Sequence, residues 1–369
     1  MTIPPASGPA PAVAAAPPAT STGTGSAPGG PCLVPPSPTV TATPDVTLDD
    51  LFTSYGNRGR GATWTGGDGT ESVALPDGRE LWFFADSYLG KVSDGQRVRP
   101  GSPLVHNVLV IERRGILTRT LHKHFNGAPV AYVSPAPQAP TAYGFWPGSM
   151  VVHGATLQVI GIDVTFGAGG AFTVTGNALA TFSLPRLGLL GVHPLASSPQ
   201  DWSGGVMHDG GYTYLYGSSK TETYVARVVG DDLSAPWQYY DGSGWTADAA
   251  SAAPIETVGT LSHFSVSRVG NTYVFITKSS WDTSEITASF GCSPVGPFGP
   301  PQPIYATPEE STYPAGDGII TYGAFAHPEL GTSPKTLVVS YDVGAIGPMS
   351  GSISDTSVYR PRFLEVTVS

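Results

Sequence analysis

Two aspartates, Asp68 and Asp86, are the first residues of this chain whose type and spacing suggest chemistry. They lie equally far in sequence from Asp77, within the stretch TWTGGDGTESVALPDGRELWFFADSYLG at residues 63–90. Pro76-Asp77-Gly78 is a turn signal, and the runs 71–75 and 80–85 on either side read as the strands of one β-hairpin. Counting outward from Asp77 sets Asp68 opposite Asp86 on one face, where opposed Cβ atoms lie about 4.5–5.5 Å apart. A two-residue turn would make them diagonal neighbours, still close. Gly66, Gly67, Gly69 and Gly90 bracket the pair. Paired carboxyls are the machinery of glycoside hydrolysis, about 5–5.5 Å apart for retention and about 6.5–9.5 Å for inversion. The hairpin geometry falls nearer the first range. In a partly dry cleft two such groups cannot both ionise freely, so one keeps its proton as the acid while the other stays charged. The sequence does not say which. The other reading of the same residues is a pair of aspartates capping turns at strand ends.

These carboxyls need a frame, and five repeats supply one. Each is an apolar strand, a polar turn and a second strand rich in aromatic and β-branched residues: 71–75 with 81–86, 149–153 with 157–163, 205–209 with 212–218, 264–269 with 272–278, and 322–327 with 336–342. Antiparallel units recurring about every 60 residues predict an all-β, five-bladed β-propeller over residues 45–369. Helical periodicity is confined to a weak candidate at 48–55. Two successive β-sandwiches are the other arrangement, but no linker divides the region. In a propeller the open ends of the hairpins meet near the axis. That would gather Asp68, Trp146, Asp201, Trp202, His263, Asp317 and Tyr322 with Asp86, Asp163, Lys278 and Asp342. A mouth of carboxylates, histidines and aromatics suits a sugar cleft. The expected substrate contacts around the catalytic pair are Asn107, Trp146, Asp163, Trp202, His263, Asp317 and Tyr322.

Composition narrows the partner. Charged residues are 12% of the chain and the net charge is −10, with 28 acidic residues against 18 Lys and Arg and no basic run. Nothing would compensate the phosphates of DNA, RNA or an anionic membrane, so nucleic acid is excluded and a neutral polysaccharide is expected. No stretch reaches the roughly 18 apolar residues needed to span a bilayer. Residues 1–44 are a Pro/Ala/Thr/Ser/Gly tract, expected to be a disordered tail or linker. Such tracts commonly follow a secretion signal, so a secreted protein with its signal removed is expected, acting as a monomer. Cys32 and Cys292 either pair in an oxidising compartment or remain free thiols.

The remaining motifs are weaker. No phosphate-binding GxxxxGK[ST] loop and no GxSxG elbow occurs. His106 and Asn107, just before VLVIE, either bind a ligand hydroxyl or serve the fold, and His263 is equally open. His327, before Pro328, reads as structural. His122 and His124 alternate as on a strand without a third ligand nearby. No zinc-type Cys/His spacing exists, so neither metal nor cofactor is expected.

TGGDGTESVALPDGRELWFFADSYLG, LVHNVLVIE, TYGAFAHPEL, LVVSYDVG and YRPRFLEV together resemble a group of secreted bacterial proteins, domains of unknown function 4185 and 5005. Part of that group is glycoside hydrolase family 183, endo-acting D-arabinanases of five-bladed propeller fold. The resemblance covers residues 45–369 and is densest in the first hairpin. It implies that the family's paired aspartates fall on Asp68 and Asp86, the pair already reached from the turn. It implies a secreted endo-glycosidase acting on a furanosyl polymer such as cell-wall arabinan. Relatives often carry Asp-Thr where this chain has Asp86-Ser87, and an Asn-rich segment where it has Asp342-Val343; these departures point to another subgroup or an inactive one. The alternative is a non-catalytic carbohydrate-binding propeller.

Overall fold

The structure is a computed structural model that describes residues 38–369 except 168–170, 258–262, 279, 281–282, 347–350 and 352–353. Among the described residues its strands form eight antiparallel sheets, five of them, in chain order, the large ones. Blade 1 is Glu71–Ala74, Arg79–Phe84, Val108–Arg113 and Leu117–Leu121. Blade 2 is Tyr143–His153, Thr156–Phe166, Phe172–Ser183 and Gly188–Pro194. Blade 3 begins with Asp201–Asp209, Tyr212–Ser219 and Glu222–Val229. Blade 4 is Phe264–Val269, Thr272–Lys278, Glu285–Gly291 and Gln302–Ala306. Blade 5 is Ile319–His327, Thr336–Ala345 and Pro361–Val368, closed on its outer edge by Val40–Pro44.

The first strand of each blade packs on the first strand of the next, and that of blade 5 returns to that of blade 1. This ring is a five-bladed β-propeller. Inner strands of all five blades, through Ser72, Met150, Val206, Ser267 and Ala326, line one axial cavity of about 410 Å³. All five repeats read from the sequence are the inner hairpins of the blades.

Strands alternate inward and outward, so each blade has an apolar face on either side. Five apolar cores result, each between two neighbouring blades. Leu81, Phe83, Phe145 and Leu157 join blades 1 and 2, for example, and Val274, Ile276, Val339 and Val366 join blades 4 and 5. The core between blades 5 and 1 is completed by the helix Val46–Asn57, whose Phe52 meets Trp64, Trp82, Phe84 and Phe363. Asp45 caps this helix by accepting the N–H groups of Thr47 and Leu48, which orphan first-turn donors require. The weak candidate at 48–55 is thus a real helix, stabilised by packing more than by propensity.

The expected boundary at residue 45 shifts. Val40–Pro44 pairs along its whole length with the last strand, from Val40 opposite Val368 to Pro44 opposite Leu364. The ring is therefore sealed by main-chain hydrogen bonds joining its first and last strands. The rest of the expected tail, up to residue 37, lies outside the described residues, as does Cys32. Cys292 is disulfide-bonded.

Candidate functional site

The first hairpin has the register that the turn at Asp77 implies. Glu71 lies opposite Phe83 in blade 1, and Gly67 lies opposite Ser87 in a separate small sheet formed by Thr63–Gly67, Ser87–Gly90 and Leu104–Val105. Both registers put Asp68 opposite Asp86. The hairpin splits into two sheets at this point, while the backbone stays tied: Asp68 N–H donates to Asp86 O at 3.2 Å and Ala85 N–H to Asp68 O at 2.7 Å. Gly69 makes the split. It has φ +60°, and a Cβ there would lie 2.8 Å from the Cβ of Ala85, so only glycine fits without strain.

The two carboxyls have different surroundings. Asp68 Oδ2 accepts the hydroxyls of Tyr322 at 2.7 Å and Tyr359 at 3.0 Å. Burial pushes the Asp68 carboxyl well above the usual range, the negative charges of Asp86 and Asp342 push the same way, and the two tyrosine hydrogen bonds oppose them. Both donors use Oδ2, so a proton on this group sits on Oδ1. Asp86 Oδ1 accepts the indole N–H of Trp146 at 3.0 Å and faces His106 Nδ1 at 3.0 Å. Asp86 and His106 keep 21% and 17% side-chain exposure. The His106 ring stacks flat on Phe166, centroids 3.7 Å apart.

A third carboxyl lies beneath this pair. Asp342 is 1% exposed, across from Tyr322 in blade 5, and accepts Gly69 N–H at 2.9 Å and the Thr70 hydroxyl at 2.8 Å. It grips the turn that carries Asp68. Burial pushes its own carboxyl up to about 7, against the pull of those hydrogen bonds. Tyr359 reaches Asp68 from a left-handed backbone, φ +71°, uncommon for a bulky residue and the kind of strain found at functional sites. Arg97, buried, holds that turn by donating to Val358 O at 3.3 Å and Tyr359 O at 3.5 Å, and ties it to Thr65 O at 3.0 Å.

The expected contacts divide. Trp146 and Tyr322 touch the carboxyl pair, as above. His263 has a buried Nδ1 without a hydrogen-bond partner among the described residues, beside Gly323, where an added Cβ would lie 2.9 Å from Asp342 Oδ2 and 3.6 Å from His263 Nδ1. Burial holds its imidazole below the ordinary value. Asp163 is half-buried, its Oδ1 also unpartnered among the described residues, and burial pushes it up to about 6. Three other expectations need correction. Asn107 is fully buried, and its amide is used by the main chain: it donates to Val133 O and Phe145 O and accepts Val133 N–H, each at 2.8 Å. It ties blade 1 to blade 2 and has no group left for a ligand. Trp202 is 2% exposed in the core between blades 2 and 3, its indole N–H donated to Ser198 Oγ. Asp317 is exposed on the short turn Ala315–Asp317. His327 is structural as expected, buried and bonded to Ser72 Oγ and Ser340 Oγ. Tyr359, Arg97 and Phe166 were not foreseen; only the quoted motif YRPRFLEV pointed near Tyr359.

The chain belongs to the family described as domain of unknown function (DUF5005), which matches residues 49–368. Among curated proteins, none matches its sequence. In fold it is similar to a Bacteroides ovatus protein provisionally described as a hydrolase, 23% identical, covering 89% of this chain and 90% of that one with TM-score 0.74. More remote likenesses are to a GH43_1 enzyme of Xanthomonas citri solved with xylotriose, 14% identical over 88% of this chain and 93% of that one, TM-score 0.45. An exo-β-1,3-galactanase of Phanerochaete chrysosporium is 11% identical over 81% of this chain and 60% of that one, also TM-score 0.45.

Proposed function

We propose that this chain is a secreted glycoside hydrolase cutting within furanosyl polysaccharides such as cell-wall D-arabinan, with Asp68 as general acid and Asp86 as the opposing carboxylate. The observation that carries the reading is the asymmetry of two carboxyls tied together by one backbone pair. Asp68 lies where burial and two neighbouring carboxyls favour its proton, and both tyrosine donors occupy Oδ2. Its Oδ1 is left to protonate the glycosidic oxygen as the bond breaks. Asp86 has an indole donor on Oδ1 and an Oδ2 without a partner among the described residues. That oxygen is the one to meet the anomeric centre, directly or through a water. A short separation of the two carboxyls would favour the direct route and retention, a wider one the water and inversion. Asp342 positions the Asp68 turn and adds the charge that keeps Asp68 protonated. No step calls for a metal or cofactor.

Export draws support from the disulfide at Cys292, since disulfides persist in oxidising compartments. The acidic balance argues for a neutral polymer over nucleic acid. Incubation of the protein with arabinans, xylans and arabinogalactans, followed by chromatography of the products, tests the reading. Oligosaccharides of intermediate length from an arabinan are expected. Monosaccharide alone would overturn the endo mode, and an unchanged panel would leave a carbohydrate-binding propeller.

A further inference from the structure

The inner hairpin of blade 2 extends beyond its counterparts. Its strands Tyr143–His153 and Thr156–Phe166 are 11 residues each, against 6 and 7 for Phe264–Val269 and Thr272–Lys278 of blade 4. The extension ends at the carboxyl site. Val164 lies opposite both Gly144 and Val174, and Phe166 opposite Phe172. Residues two apart share a face, so Trp146, Phe166, Phe172 and Val174 lie on one face of the sheet. One end of that face is built into the site: Trp146 donates to Asp86, and Phe166 stacks on His106. Gly144 permits this, because a Cβ there would lie 2.6 Å from the Phe166 ring and 3.2 Å from His106 Cβ.

The other end is open. Phe172 is 56% exposed and Val174 51% exposed, and the Phe172 ring stands edge-on to Trp146, centroids 4.9 Å apart. Single exposed apolar residues need no explanation. This pair differs in being continuous with an indole that already touches a catalytic carboxyl. A sugar ring has an apolar C–H face and a rim of hydroxyls, which matches aromatic surface beside carboxylates.

We propose that this face is a chain-binding wall: sugar units beyond the cleaved bond, on the Asp86 side, lie against Phe172 and Trp146 and make the site selective for longer chains. The proposal rests on the glycan reading of the site but not on turnover. It assigns Phe172 as a specificity determinant that acts through binding alone.

The test uses ladders of arabinofuranosyl and xylosyl oligosaccharides, from disaccharide to octasaccharide. Binding is measured by titration calorimetry on the full chain carrying Asp68→Asn, with and without Phe172→Ala, and KM and kcat are measured in the chain with Asp68 intact. Affinity is expected to rise with length in the parent. Phe172→Ala should remove that rise, weakening the longest ligands about tenfold, roughly what covering half a phenyl ring contributes, with the disaccharide and kcat unchanged. Phe172→Tyr should restore it, and Val229→Ala, exposed on blade 3 away from the site, should change nothing. If wild type hydrolyses a glycan and Phe172→Ala leaves the length dependence intact, the wall is wrong and the hydrolase reading stands. If nothing is hydrolysed but length-dependent binding is lost in Phe172→Ala, the wall stands and the catalytic reading falls. Binding of no ladder member overturns both.

Discussion

The inner hairpins of blades 1 and 4 start from the same sequence pattern and end differently. In blade 4 the pairing runs unbroken from Phe264 opposite Thr277 to Val269 opposite Thr272. Its last residue, Lys278, is buried and donates to the carbonyls of Ser280 and Thr283. In blade 1 the pairing is regular from Ala74 opposite Glu80 to Glu71 opposite Phe83, but the ladder breaks at residues 68–70, and there the two carboxyls leave the sheet. Blades 2, 3 and 5 also slip register near the same end, between Pro147 and Met150, Asp201 and Gly205, and Tyr322 and Phe325. Breaks in pairing release side chains from strict alternation and re-aim them. The proposed chemistry sits where the ladder fails, and the intact hairpin serves the fold.

The largest expected effect comes from the carboxyls themselves. Asp68→Asn and Asp86→Asn should each lower kcat on the substrate found by the arabinan panel by ~10²–10⁴ or more, the usual worth of acid–base assistance. Circular dichroism and Tm should stay near wild type. Lys278→Met in blade 4 should do the reverse. It removes the donor to Thr283 O, one of two donors to Ser280 O and the ammonium 3.8 Å from Glu310, which costs ~1–3 kcal/mol of stability, and kcat of the folded fraction should hold. Loss of activity in Lys278→Met comparable to that in Asp68→Asn would erase the distinction between the hairpins.

Gly69 and Gly270 sharpen it further, because they share a backbone conformation, φ +60° and +61°. An alanine at Gly270 would meet nothing within 4 Å, whereas one at Gly69 would lie 2.8 Å from Ala85 Cβ. Gly270→Ala should cost ~1–2 kcal/mol, the left-handed penalty alone, with activity unchanged. Gly69→Ala should cost more and also displace Asp68, so that kcat falls with stability. Equal effects in urea melts and assays would mean that the split is only a turn.

Much of this contrast was legible in the sequence, because turn chemistry and period-2 patterning are local. Pro76-Asp77-Gly78 determines the register, and register alone brings Asp68 to Asp86. What was not legible depends on which way a side chain turns after a bulge or a loop. Asn107 and Trp202 have the types expected of a sugar site, yet the closure of neighbouring blades turns both inward. Tyr359 is 291 residues from Asp68 and meets it only because the ring closes. Val40–Pro44 was hidden by its Pro/Thr-rich flank, since strand pairing with residues 364–368 has no local signal.

Asp342 gives the comparison a pH dependence. Its carboxyl is raised from 3.8 to about 7 in the folded protein. A group raised on folding contributes stability that is present below its unfolded value and is lost as pH rises through its folded one. Tm should therefore decline between about pH 4 and pH 7, and Asp342→Asn should flatten that decline. A wild-type slope surviving in Asp342→Asn would assign it to the other acids raised by desolvation, Asp49, Asp68, Glu71, Glu80, Asp163, Glu309 and Glu329.

The smallest expected effect is also the most diagnostic of which carboxyl is the acid. Tyr359 donates one of two hydrogen bonds to Asp68 Oδ2, and that bond opposes the burial that raises the Asp68 carboxyl. Tyr359→Phe keeps the ring and removes the donor, so the proton on Asp68 becomes harder to remove. If Asp68 is the acid, the alkaline limb of the kcat profile should move to higher pH. A hydrogen bond to a charged group is worth ~1.5–3 kcal/mol, so the limb should shift by no more than about two pH units, since one unit corresponds to ~1.36 kcal/mol. The fall in kcat near the optimum should be no more than about tenfold. Tyr322→Phe should move the same limb the same way, because its hydroxyl donates to the same oxygen. Were Asp68 instead the charged partner and Asp86 the acid, raising the proton affinity of Asp68 would shift the acidic limb. An upward shift of the acidic limb alone in both variants would therefore exchange the two roles while leaving the pair in place.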